Sequence, residues 1–155
     1  MAKGPNKDES CIYGDKSWKK VHFVFILDTY LTVLDNPDLR RIVSKFRLSD
    51  HKLEIEIGRY NNIPADRRLC KLCKSAQVED EKHFLLQCPI YKIQRQKLFD
   101  MSEKYINNFK NIADEQKFKE IITNKNLIII LASYMKLSML KRDQIHTSND
   151  KNHKT

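Results

Sequence analysis

Cys70, Cys73, His83 and Cys88 stand in the order C-x2-C-x9-H-x4-C, four soft or borderline ligands within nineteen residues. Three thiolates and an imidazole make a full tetrahedral set for one Zn²⁺, with no position left for water. The pattern predicts a structural zinc, not a catalytic one. Such an ion contributes roughly 10–16 kcal/mol apparent at neutral pH, comparable to the whole stability of a small domain. Cys11 is the only cysteine outside the window, and it reads as a free thiol. A redox role for Cys70-Lys71-Leu72-Cys73 would need a βαβ context that is not visible here.

Local chemistry explains how the four residues can meet. A C-x2-C pair on a tight turn puts both sulfurs on one side of the backbone, where N–H groups can reach them. Asp80 is placed to cap a short helix, and Glu81 suits its positive end. A helix N-terminus therefore accounts for Glu79, Asp80 and Glu81 without an acidic catalytic cluster. On an unbroken α-helix, residues five apart point in different directions. Pro89 disfavours the α-conformation at Cys88, so the helix should end near Gln87 and let Cys88 swing back to the ion. Phe84, Leu85 and Leu86 would pack this helix onto the rest of the domain. His51 is a further imidazole, but four ligands are already present, and it reads as a hydrogen-bonded loop residue.

The elements around the knuckle are mainly helical. Gly 3 and Pro 4 in 155 residues leave few breakers, which favours helices over a strand-and-turn architecture. Residues 1–16 are polar and aperiodic, a disordered tail. Trp18 opens an apolar segment with a short extended piece, then a helix stopping near Asn36-Pro37. Pro37 suits the start of the next helix. There Leu39, Ile42, Val43 and Phe46 form one apolar stripe, with Arg40, Arg41, Lys45 and Arg47 mostly off it. Leu53, Ile55 and Ile57 alternate with Glu54 and Glu56, which predicts a short strand. Residues 61–64 are loop. After the knuckle, Tyr91, Leu98, Met101, Tyr105 and Phe109 predict one side of a long helix. Phe118, Ile121 and Ile122 mark a short one. Asn126 is placed to cap a buried helix from Leu127 to Leu140. The expected organisation is a tail over 1–16, a helical domain over 17–142 with the knuckle at 70–88, and a disordered tail over 143–155. The fold class is mostly α: a small helical domain with one CCHC zinc knuckle and at most a short β-hairpin or strand.

Charge narrows the partner. Lys+Arg 29 against Asp+Glu 20 gives a net +9, a surface that attracts polyanions. Arg67, Arg68, Lys71 and Lys74 crowd the first ligand pair, and Arg41, Lys45, Arg47 and Arg59 are candidates to join them. Such residues contact phosphate, with affinity that falls steeply with salt. Tyr60 or Tyr91 could stack on an unpaired base. The polar start has no secretory h-region and no apolar run reaches membrane-spanning length. The expected location is intracellular, nuclear or cytoplasmic, with no membrane partner.

Phe46 to Tyr91 resembles the zinc-knuckle region at the C-terminal end of reverse transcriptases from non-LTR (LINE-type) retrotransposons. The features that carry the resemblance are F-R-x-S-x-H, G-R-Y, R-L-C-x-x-C and V-E-D-E-x-H-F-L-L-x-C-P-x-Y. The flanks extend it more weakly, from about Trp18 to Arg142. In that family this region lies beyond the polymerase and thumb and helps grip template RNA or target DNA. Its ligands fall here on Cys70, Cys73, His83 and Cys88. The chain departs from the family in carrying no Y-x-D-D segment, and its length cannot hold fingers and palm. Pro37-Asp38 has no acid-x-Lys partner of the kind a restriction-like endonuclease needs. The resemblance implies a nucleic-acid-binding module with no enzyme activity of its own, whose partners are RNA or DNA through backbone contacts and the missing polymerase portion. The alternative is a zinc-stabilised protein-interaction module with no nucleic-acid role.

Overall fold

The computed structural model describes the backbone over residues 30–152 and side chains over 30–148. The expected tail over 1–16 and the apolar segment opened by Trp18 lie outside the described residues, apart from a helical end at residues 30–33. Asn36 then resets the chain. Its side-chain oxygen accepts from the backbone N–H of Asp38 at 2.9 Å and of Leu39 at 3.3 Å, and Pro37 follows in the first turn. This N-cap starts α1 (Pro37–Arg47), which buries Val43 and Phe46 as its stripe predicts.

Five α-helices order the described residues: α1, α2 (Glu54–Tyr60), α3 (Lys92–Ser102), α4 (Asp114–Thr123) and α5 (Ile128–Asn152). The long α5 is the spine, and α1, α3 and α4 all pack against it. Leu131, Ala132, Tyr134 and Met135 on α5 are buried. Each large apolar side chain so removed from water contributes about 1.5–3 kcal/mol. Phe84, in the segment that carries His83, sits among Phe46, Tyr91 and Tyr134 at ring-centroid distances of 6.0, 4.9 and 5.4 Å. The second half of the ligand motif is thus anchored in the same core as α1 and α5. The domain is mostly α, with no strand among the described residues.

Three elements differ from the periodicity reading. The stretch expected as a strand over 53–57 is helix α2. Its alternating glutamates are buried, not solvated: Glu54 pairs with Lys71 at 2.8 Å, and Glu56 with Arg59 at 2.7 Å. Leu53 is extended and precedes the helix, and the first helical N–H, on Glu54, is taken by the Glu79 carboxylate at 2.9 Å. Gly58 lies inside α2 because Arg68 crosses it; a Cβ there would sit 2.5 Å from Arg68 Cγ. The second difference is α3, which ends at Ser102 instead of running through Tyr105 and Phe109. Asn108 is left-handed at φ 59°, a conformation asparagine tolerates, and Phe109 returns to meet Phe99 edge-on at 5.5 Å.

The third difference is α5. Asn124, not Asn126, supplies the cap by accepting from the Asn126 N–H at 3.0 Å. A single 3₁₀ turn over Lys125–Leu127 then leads into the helix. At its other end α5 does not stop near Leu140 but runs through the expected tail to Asn152. No proline or glycine interrupts 141–152, and Arg142 is held in the interior. Among the described residues, no helix is long and apolar enough to cross a membrane.

Candidate metal centre

The first two ligands sit on a tight reversal. Leu69 and Val78 form an isolated antiparallel bridge. Beside it, Cys70 N–H bonds to Gln77 C=O at 2.8 Å and Glu79 N–H to Arg68 C=O at 2.9 Å. Ala76 at the tip is left-handed at φ 53°. The Cys70 sulfur accepts from the backbone N–H groups of Leu72 and Cys73, as expected for a C-x2-C turn.

The other two ligands come from a widened helical turn. Asp80 accepts from His83 N–H at 2.7 Å and starts it, as expected of a cap. The turn over His83–Gln87 is π-helical, and Cys88 N–H bonds back five residues to His83 C=O at 2.7 Å. Cys88 itself is extended at φ −57° and ψ 120° ahead of Pro89. The helix does end near Gln87, but the widened turn, more than a swing after the end, brings residues five apart to one side. Widening leaves carbonyls to satisfy. Tyr134 hydroxyl donates to Phe84 C=O at 2.6 Å, and Arg95 donates to Leu85 C=O at 3.0 Å and to Cys88 C=O.

The four ligand atoms of Cys70, Cys73, His83 and Cys88 all lie within 4.8 Å of one another, and all four residues are buried. Cys73 Sγ is 3.2 Å from His83 Nε2. Ligands on a tetrahedral zinc would stand roughly 3.6 Å apart for S and N, so this pair need open by only about 0.4 Å to admit an ion. His83 Nδ1 faces Gln77 Oε1 at 3.0 Å. As the amide oxygen is an acceptor, the ring carries its proton on Nδ1 and turns the Nε2 lone pair to the sulfurs. Ser75 Oγ lies 3.0 Å from Cys73 Sγ. The Cys70 thiol is pushed up to about 12 by its hydrogen bond with Cys88 and by burial. The same hydrogen bond lowers Cys88. A metal loading this site must displace protons.

Behind the cluster lies a polar network that the sequence reading missed. Glu79 is fully buried; its carboxylate accepts from Arg142 Nη2 at 2.9 Å and from Cys70 Sγ at 3.4 Å. Arg142 also approaches Glu54 at 3.7 Å. The cluster is thereby wired to α5. The sequence signal was Arg142 at helical spacing from Leu131, Met135 and Ser138, which are buried on α5. Glu81 stands at the helix N-terminus as expected and also contacts His51 Nε2 at 3.3 Å.

The basic candidates divide into four groups. Arg47 and Arg68 are engaged with protein backbone. Arg47 donates to Ile122 C=O at 2.9 Å and lies over the Tyr30 ring at 5.0 Å, while Arg68 donates to Ile63 and Ile55 carbonyls at 2.8 and 2.7 Å. Arg41 and Lys45 are exposed on α1 beside Asp38 and Asp50, and the principal partner of α1 is α5. Arg67, Lys71 and Lys74 are exposed around the first ligand pair. Arg59 stacks on Tyr60 at 4.9 Å, and Tyr60 is 70% exposed. Tyr91, the other candidate for base stacking, is fully buried in the core and cannot do it.

No family model, curated protein or solved structure matches this chain. The four buried residues stand close enough to hold a metal ion.

Proposed function

We propose that the chain is a zinc-organised nucleic-acid-binding module, related to the C-terminal region of non-LTR retrotransposon reverse transcriptases and without a polymerase site of its own. The observation that carries this reading is the buried Cys70, Cys73, His83 and Cys88 cluster, whose first ligand loop presents exposed Arg67, Lys71 and Lys74. Thiolate-rich tetrahedral chemistry suits Zn²⁺. The lysines and arginines supply phosphate contacts, and Tyr60 beside Arg59 supplies one face for an unpaired base. Affinity would come from the backbone, with little sequence preference.

The test begins with metal analysis of the purified chain, which should give zinc in the thiolate site. Gel shifts against single-stranded RNA and duplex DNA over a salt series follow. Arg67→Ala with Lys74→Ala should weaken binding uniformly across sequences and flatten the salt dependence by about one phosphate contact per residue, with zinc retained. No shift at low salt would sink the reading. It would favour a zinc-stabilised protein-interaction module, for which one observation speaks: Ile129, Leu137 and Leu140 on α5 are 51%, 48% and 52% exposed.

A further inference from the structure

We propose that His51, Glu56 and Glu81 form a second divalent-cation site, built from imidazole and carboxylates, separate from the thiolate centre. The proposal is independent of nucleic-acid binding. The three residues come from three places: the loop after α1, the body of α2, and the turn that leads into His83. Their ligand atoms nevertheless lie within 4.8 Å of one another. Their side chains are 3%, 8% and 13% exposed for His51, Glu56 and Glu81. Phe46 fixes the imidazole plane from 5.2 Å.

Hydrogen-bond satisfaction points to a cation. His51 Nδ1 is buried with no hydrogen-bond partner among the described residues. Glu56 Oε2 is buried and accepts no hydrogen bond; its ion pair at 2.7 Å is with Arg59, which is half exposed. A protonated imidazole would leave a ring N–H buried without an acceptor, and a neutral one would leave a lone pair. A divalent ion takes the nitrogen lone pair and lies against both carboxylates. The contact of His51 Nε2 with Glu81 Oε1 at 3.3 Å places the ring proton on Nε2 and leaves the lone pair on Nδ1.

The donor set selects the metal. One nitrogen and two carboxylates without sulfur suit Zn²⁺, Co²⁺ or Mn²⁺, and offer too few oxygens for Ca²⁺. Three protein ligands leave a position for water.

Titration of the full chain with Co²⁺ tests this. The thiolate centre should give an intense sulfur-to-cobalt charge-transfer band with the first equivalent. A second equivalent should bind without adding to that band, and metal analysis should give two cobalt ions per chain. Glu56→Gln, nearly isosteric, and His51→Asn should each hold one cobalt with the band unchanged. Wild-type protein that stops at one equivalent overturns the proposal, as does a second equivalent that survives in Glu56→Gln. The charge-transfer band reports folding in each variant. If His51→Asn lacks it, Glu56→Gln alone decides. Absence of the band in wild type would count against the thiolate centre, which keeps the two failures distinct.

Discussion

Around the four clustered ligands the interior is polar: three sulfurs, an imidazole, the Glu79 carboxylate and the Arg142 guanidinium are buried close together. A short way along α5 the interior is dry, with Leu131, Ala132 and Met135 packed beside Phe84 and Tyr134. The helical body can be held by apolar burial alone, which is not directional and tolerates repacking. The knuckle cannot. Its backbone is a bridge, a left-handed residue and a widened turn, and its buried groups have value only in one geometry. The two regions meet at Phe84 and at Arg142, so the region able to hold an ion is seated on the apolar one.

The largest effect should come from removing a ligand. Cys73→Ser is expected to abolish metal binding and to cost a large part of the roughly 10–16 kcal/mol that a structural zinc contributes. Metal content and thermal melts with and without chelator check this. If the variant keeps its metal and its melting temperature, the contrast between the two regions is wrong.

Arg142→Met sharpens the contrast. It leaves Glu79 buried beside Cys70 without its counter-charge. Loss of one partner of a buried pair costs about 3–5 kcal/mol, and metal affinity should fall about 10–100-fold, as for other outer-shell partners. Leu131→Ala in the dry region should cost about 2–5 kcal/mol with metal affinity unchanged. Denaturant melts paired with metal competition against a chromophoric chelator separate the two, and a Leu131→Ala variant that also loses its metal would erase the distinction. The smallest effect belongs to Asn36→Ala, which removes the cap of α1 far from either ligand turn. It should cost about 1 kcal/mol in the same melts and leave the metal in place.

Legibility in the sequence followed the same divide. The ligand set, the Asp80 cap, the end of the helix ahead of Pro89 and the stripe of α1 were all readable, because each depends on residues close in sequence. Leu53 to Ile57 was misread because alternation assumes that glutamates face water, whereas Glu54 and Glu56 are buried, Glu54 against Lys71 and Glu56 against Arg59 of its own helix. The end of α5 was misplaced for the same reason: Arg142 looks like the start of a polar tail until Glu79, sixty-three positions away, is seen beside it. Asn107-Asn108, a break ahead of Phe109, was a local signal that the apolar spacing concealed.

The five-residue step from His83 to Cys88 carries one more consequence. A spacer one residue shorter would sit on an ordinary α-helix, and the extra residue can be absorbed only where outside donors take up the displaced carbonyls. Here those donors are Tyr134 and Arg95. The register of the final thiol is therefore written partly on α3 and α5, and grafting residues 70–88 alone onto another scaffold would transplant the ligands without the framework that aims the last of them.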